Sequence, residues 1–117
     1  MIAVMFEFVP RPGRREDYLA IAAELKPVLE EIDGFISVER FQSLSDPDKV
    51  LSLSFFRDEA AVARWRTTAS HRQAQAAGRD HVFARYRLRV AAVLRDYGME
   101  ERAGTPADSR IAHGDGQ

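Results

Sequence analysis

The sequence of 117 residues contains no cysteine and no apolar run long enough to cross a membrane. Without cysteine the chain can form no disulfide, zinc–thiolate site or iron–sulfur cluster, and it has no thiol nucleophile. The apolar run at residues 2–9 lacks a basic leader and is far shorter than the ~20 residues of a membrane-spanning helix. We therefore expect a cytoplasmic protein with no membrane partner.

Several common catalytic patterns are missing as well. The sequence has no phosphate-binding loop, no nucleotide-binding glycine pattern, no Ser-His-Asp order and no carboxylate pair of the glycosidase type. Its three histidines, His71, His81 and His113, are too scattered to predict a metal site. Any enzyme of this sequence is therefore expected to work without a metal and without a bound cofactor.

The net charge of −1 predicts no general attraction to nucleic acid. Residues 1–56 carry ten acids and six bases, whereas residues 57–95 carry three acids and nine arginines. One interpretation is that these arginines pair with the acidic first half of the chain when it folds. The other is a local cationic site for an anionic ligand.

Hydrophobic periodicity predicts four strands, at residues 2–9, 35–43, 49–57 and 82–94, and helices between them. The first helix covers residues 16–32, with a kink at Pro27 and a stop at Gly34. A short helix is capped by Asp58. The next begins at Ser70, which has capping-box spacing to Gln73, and runs to Gly78.

The last predicted strand alternates between two faces. One face is apolar and includes Tyr86, while the other carries Phe83 with Arg85, Arg87 and Arg89. Three like charges on one face repel unless carboxylates or a ligand neutralise them. Pairing with Glu7 or Glu39 is the structural alternative to a catalytic role for at least two of these arginines.

The order strand, helix, strand, strand, helix, strand predicts an α+β, ferredoxin-like split βαβ fold with a four-stranded antiparallel sheet and helices on one face. The second face stays uncovered, so we expect a homodimer with facing sheets. The domain is predicted at residues 1–99. Residues 100–117 have no periodic pattern and are expected to form a loosely ordered tail.

Several segments carry a resemblance to a known family. They are Gly34-Phe35, residues 55–59 (FFRDE), Trp65-Arg66, and the last strand from Leu88 to Tyr97. Together with the element order, they resemble the antibiotic biosynthesis monooxygenases over residues 2–99. The resemblance implies a dimeric α+β barrel. It also implies cofactor-free oxygenases of hydroquinones and polyketide phenols, haem-degrading enzymes, or members without an assigned activity.

The resemblance assigns roles to particular residues. Trp65 stands where both the haem-degrading and the polyketide-oxidising members place a pocket tryptophan. His71 matches a polar or ionisable pocket position of the phenol-oxidising members, and Arg85 lies near their pocket arginine. The haem-degrading pattern requires an asparagine and a histidine where this chain has Phe6 and Gln75, so we expect no haem binding.

The resulting hypothesis is a homodimeric monooxygenase that uses dioxygen to convert small hydroquinone or polyketide-phenol aromatics into quinones. His71 would remove the phenolic proton beside Trp65, and Arg85 would stabilise the anion. The substrate pocket, between the sheet and its helices, is expected to involve Phe6, Phe8, Phe55, Gln75 and Tyr86. The alternatives are that Trp65 is a core residue, that His71 is solvated near a helix cap, and that the protein is a catalytically silent dimer binding a small ligand or a partner.

Overall fold

The computed structural model describes residues 1–77 and 81–101. Its elements, in chain order, are β1 (Ile2–Pro10), α1 (Arg15–Glu30), β2 (Phe35–Gln42), β3 (Val50–Phe56), α2 (Glu59–Arg66), α3 (Ala69–Ala77) and β4 (Phe83–Ala92). Every predicted strand is present, with ends within two residues of the prediction. The predicted helix end at Gly78, most of the predicted tail and His113 lie outside the described residues.

The four strands form one antiparallel sheet in the order β2-β3-β1-β4, which confirms the predicted α+β ferredoxin-like fold. Strand pairing places Arg40, Ser52, Phe6 and Leu88 side by side across the sheet. These residues belong to the face that packs against the helices, which we call the inner face. Because side chains alternate along a strand, their neighbours, such as Phe55, lie on the opposite or outer face.

Two groups of buried side chains hold the helices on the inner face. In the first, Phe8 is 1% exposed and packs with Tyr18 and Ala22 of α1. In the second, Phe56 and Ala61 are fully buried. Fully burying a large apolar side chain contributes roughly 1.5–3 kcal/mol. These contacts therefore fix α1 and α2 relative to the sheet.

The turn between α1 and β2 brings two backbones close together. The helix α1 runs through Pro27 and ends at Glu30, and Gly34 follows with φ of +95°. A Cβ atom at Gly34 would lie 2.6 Å from the Cβ of Ala61. Glycine is therefore required here both for its backbone conformation and for the close approach of α2.

Hydroxyl and carboxylate caps set the starts of the two short helices. Asp58 accepts a hydrogen bond of 2.9 Å from the backbone N–H of Ala61, as predicted. The prediction that the next helix begins at Ser70 is wrong, because α3 begins at Ala69. Its cap is the Thr68 hydroxyl, which accepts from the backbone N–H of His71 at 3.2 Å.

A register shift between β1 and β4, which leaves Ala84 unpaired, changes the face of one aromatic residue. Val9 pairs with Arg85 but Pro10 pairs with Phe83, so the ladder skips a residue between Val9 and Pro10. Proline has no N–H to continue the ladder, and an irregularity at this point is its usual consequence. Phe83 consequently packs against Phe8 on the inner face, 5.0 Å between ring centres, and not beside the arginines as predicted.

Half of the described arginines of residues 57–95, four of eight, pair with carboxylates of the acidic first half of the chain, which supports the first interpretation of the charge distribution in part. Arg57 donates two hydrogen bonds to Asp33, both of 3.2 Å. Arg89 donates to Glu7 at 2.9 Å, and this hydrogen bond lowers the pKa of the Glu7 carboxyl. Glu39, the alternative partner, makes no ion pair within the described part of the chain.

Residues 1–77 and 81–101 contain no helix with the length and apolar character needed to cross a membrane.

Candidate active site

A cavity with a volume of about 300 Å³ lies between the inner face and helices α1 and α3. Its floor includes Ser52 and Ser54 of β3. Their small side chains leave space between the larger inner-face residues of β1 and β2. Towards β4 the cavity is open, because Tyr86 and Leu88 are 50% and 51% exposed. The arrangement suits a small, mainly apolar molecule that enters beside the edge strand.

Trp65 and His71 form one wall of the cavity. Their ring centres are 4.6 Å apart and their planes meet at 67°, an edge-on contact. Trp65 also packs against the buried cluster around Phe56, so it is both a core residue and a cavity wall. Burial, with a smaller effect of the nearby Arg66 charge, lowers the pKa of His71. The imidazole is therefore neutral near pH 7 and able to accept a proton.

Aromatic rings form the opposite wall. Phe6 lies 5.2 Å from Phe83 and 5.7 Å from Tyr86 between ring centres. Phe8 stacks on Phe6 at 5.2 Å but does not line this cavity. Its ring supports the wall from behind, 4.2 Å from the ring centre of Tyr18.

A polar group closes the cavity near β2. The Nε of Arg40 donates to the Tyr18 hydroxyl at 2.9 Å, and its guanidinium carbon is 5.7 Å from the centre of the Tyr18 ring. Arg40, Tyr18, Ser52 and Ser54 were not among the residues expected at the site. The serines alternate with leucines along β3, and that alternation was the available signal for an inner face with small residues.

The structure brings five predicted site residues to the cavity: Phe6, Trp65, His71, Gln75 and Tyr86. Three predictions need correction. Phe8 lies behind the aromatic wall and does not line the cavity. Phe55 pairs with Ala3 on the outer face, and Arg85 is likewise on the outer face, opposite Val9. The Arg85 side chain is 72% exposed and 3.7 Å from Asp46. Strand alternation thus excludes Arg85 from stabilising an anion in this cavity.

The residues at the two positions that distinguish haem-degrading members do not fit haem. Phe6 offers no donor atom, and Gln75, at the exposed rim, offers only a carboxamide, a poor haem ligand. Within the described ranges, no three His, Asp or Glu side chains lie close enough together to hold a metal ion.

A four-stranded ferredoxin-like sheet, with a mainly apolar cavity beneath its helices and an imidazole in the wall, defines a small α+β domain with room for a small organic molecule. The chain belongs to the antibiotic biosynthesis monooxygenase family, whose sequence model matches residues 1–77.

A curated relative supports this membership. The jasmonate monooxygenase ABM of Pyricularia oryzae is 54% identical over 93 residues, which are 80% of this chain. The match covers 43% of the relative, so the chain spans less than half of the length of that protein.

Solved structures share the fold at low sequence identity. Rv0793 of Mycobacterium tuberculosis superimposes with a TM-score of 0.74 at 20% identity, covering 83% of this chain and 98% of its own. A candidate antibiotic biosynthesis monooxygenase of Deinococcus radiodurans gives a TM-score of 0.73 at 12% identity, covering 84% and 97%.

Proposed function

We propose that the protein is a monooxygenase that oxidises small hydroquinone or polyketide-phenol aromatics to quinones without a bound cofactor. The observation that carries the proposal is the imidazole of His71, packed edge-on against Trp65 in the wall of a mainly apolar cavity. A phenol bound against Trp65 would place its hydroxyl within reach of a base that is unprotonated near pH 7.

The reaction balances without an external reductant. His71 takes the phenolic proton, and the phenolate transfers one electron to dioxygen, giving a phenoxyl radical and superoxide. Their recombination at a ring carbon forms a C–O bond and, after protonation, a hydroperoxide. Loss of the proton on that carbon breaks the O–O bond and releases water, leaving the second carbonyl of the quinone. The substrate supplies all four electrons. Two of them reduce one oxygen atom to water, and two reduce the oxygen atom that enters the quinone.

A second candidate substrate is a jasmonate-type molecule, an apolar ring that carries an acid side chain. The observation that favours it is the 54% identity to a relative named for jasmonate oxygenation. A cavity of about 300 Å³ with mainly apolar walls has the size and character for such a molecule.

The outer face supports the proposal that two copies pair through their sheets. Met5, Leu51, Leu53 and Phe55 lie there, and Phe41 is 45% exposed. The described helices pack on the inner face, so no helix of residues 1–77 and 81–101 covers this apolar surface. A two-fold dimer would bury it.

Oxygen uptake tests the proposed activity. We expect the wild-type protein to consume one dioxygen per quinone formed from at least one hydroquinone or anthrone-like phenol, in a panel that also contains jasmonic acid as a non-phenolic candidate. Trp65→Ala removes the wall and is expected to reduce turnover at least about tenfold, the usual consequence of a misplaced substrate. Arg72→Ala, an exposed position on the same side of the molecule, is the control.

The same panel separates the alternatives. Uptake with jasmonic acid alone would favour the second substrate class. Saturable binding of panel members without any oxygen uptake would overturn the monooxygenase proposal in favour of a silent ligand-binding protein.

A further inference from the structure

The charges around the cavity are all of one sign. Of the described residues that line it, Lys26, Arg40 and Arg66 are cationic, and none is an aspartate or glutamate. Lys26 and Arg66 are exposed to solvent, whereas Arg40 is half-buried. A cation in a largely apolar wall is stable when an anion neutralises it or when acceptors form hydrogen bonds with it.

The described part of the protein satisfies only part of the hydrogen-bonding capacity of the Arg40 guanidinium. Its Nε donates to the Tyr18 hydroxyl, a neutral acceptor, at 2.9 Å. Within the described part of the chain, its two terminal nitrogens have no acceptor and no carboxylate lies within ion-pair distance. The guanidinium therefore has one edge held by Tyr18 and the other free to bind two oxygens of a ligand.

Arg40 lies at the β2 end of the cavity and also borders a smaller recess beside Gln42. Arg40 is paired with Ser52, whose side chain lies on the cavity floor next to Phe6. Tyr18 is 9% exposed and its ring packs on Phe8, so the hydroxyl that holds Arg40 is itself fixed. The site thus has a rigid cationic end at β2 and apolar walls leading to the open side at β4.

We propose that Arg40, oriented by Tyr18, binds an anionic oxygen group of the substrate and makes the cavity selective for small apolar monoanions, either carboxylates or phenolates. This inference rests on the proposed function, because it takes the same cavity as the substrate site. Arg40 would supply the positive charge that stabilises the anion of the substrate, a charge that was expected from Arg85. The apolar body of the ligand lies along Phe6 and Trp65, and the anionic group lies at β2.

Calorimetric titration with three naphthalene compounds tests the proposal. The probes are 1-naphthoate, its neutral methyl ester, and 2,4-dinitro-1-naphthol, which is ionised at neutral pH. We expect 1-naphthoate to bind the wild-type protein at least about tenfold more tightly than the ester. Arg40→Gln should weaken 1-naphthoate by about 10- to 100-fold, the range for a hydrogen-bonded charge, and leave the ester within about twofold.

Two further variants separate orientation from charge. Arg40→Lys keeps the charge but loses the planar fork, so it should recover part of the affinity for 1-naphthoate. Tyr18→Phe keeps the ring that packs on Phe8 and removes only the hydroxyl, so it should weaken 1-naphthoate several-fold. It also serves as the test should Arg40→Gln fail to fold. Arg72→Gln, which removes a charge outside the cavity, should bind all three probes like the wild type.

Each outcome has a defined meaning. If the dinitronaphtholate depends on Arg40 as 1-naphthoate does, the site accepts phenolates. If only 1-naphthoate depends on it, the site is for carboxylates. Equal affinity of acid and ester, or an unchanged affinity in Arg40→Gln, overturns the inference, while oxygen uptake on the phenol panel would still uphold the proposed activity. Lack of binding by all three probes overturns the inference together with the cavity as the substrate site.

Discussion

At the scale of single residues, the contact between His71 and Trp65 leads to the most direct test of the chemistry. His71→Ala should lower turnover about 10²- to 10⁴-fold, the size of a general-base contribution. The loss should shrink as pH rises, because a phenol that ionises unaided needs no base. Steady-state oxygen uptake from pH 6 to 9 measures both. His81→Ala, at an exposed position, is the matched control. Full activity of His71→Ala at every pH would show that water, and not His71, is the base.

The lowered pKa of His71 predicts how the free energy of unfolding depends on pH. Burial holds the pKa of His71 below its usual 6.5 in the folded state, so the unfolded chain binds more protons in the interval between the two pKa values. The contribution of His71 to stability should therefore be present above pH 6.5 and decline as pH falls through the lower, folded pKa. Urea unfolding at a series of pH values should show a flatter profile for His71→Gln; an unchanged slope would mean that the imidazole is solvated.

Ser52 offers a test of the cavity that leaves the proposed base untouched. Ser52→Leu fills the floor between Phe6 and Arg40, so ligand binding should weaken at least about tenfold while the free energy of unfolding changes by less than about 1 kcal/mol. Calorimetric titration with 1-naphthoate and urea unfolding measure the two effects. Ser52→Ala removes the hydroxyl without filling space and should bind nearly normally. Unimpaired binding by the leucine variant would place the ligand elsewhere.

At the scale of elements, the turn from α1 to β2 depends on Gly34. Gly34→Ala combines an unfavourable positive φ with a contact of 2.6 Å to the Cβ of Ala61, and should destabilise the fold by about 3 kcal/mol. Gly13 also has positive φ, +79°, but no atom lies within 4 Å of its Cβ position. Gly13→Ala should therefore cost only about 1 kcal/mol. Similar losses in the two variants would show that the contact with Ala61 relaxes freely.

The first residue of a helix in this protein depends on capping hydrogen bonds, which hydrophobic periodicity does not reveal. The alanine-rich segment of α3 was recognised, but its start was set by the Thr68 hydroxyl reaching the N–H of His71. One consequence is functional, because this cap fixes the first turn of α3. His71 lies in that turn, beside Trp65 at the end of α2.

At the scale of the whole molecule, the outer face predicts self-association. Light scattering should give twice the chain mass of 13.2 kDa at micromolar concentration. Leu53→Glu places a charge at the centre of the outer face and should produce monomers. Leu44→Glu, at a fully exposed position between β2 and β3, should stay dimeric. A measured mass of one chain for the wild-type protein would contradict the proposed dimer with facing sheets. The apolar outer face would then have no explanation.

The sequence by itself determined the fold and several of the residues that line the cavity. Alternation of apolar residues in β1 and helical spacing in α1 depend only on local geometry, so strand and helix order followed directly. Trp65 and His71 were found because a family resemblance pointed to them. Alternation in β4 placed Tyr86 on the face opposite to Arg85, Arg87 and Arg89.

Only the tertiary structure decided which side of the sheet holds the cavity and which arginine lines it. Alternation says that Arg85 and Tyr86 lie on opposite faces, but the choice between faces depends on where the helices pack. The bulge at Pro10 moved Phe83 to the inner face, because a missing N–H interrupts a ladder that sequence spacing treats as regular. Arg40 and Tyr18 are 22 positions apart and meet through the packing of α1 on β2. A contact between distant residues is a property of packing and leaves no periodic trace in the sequence.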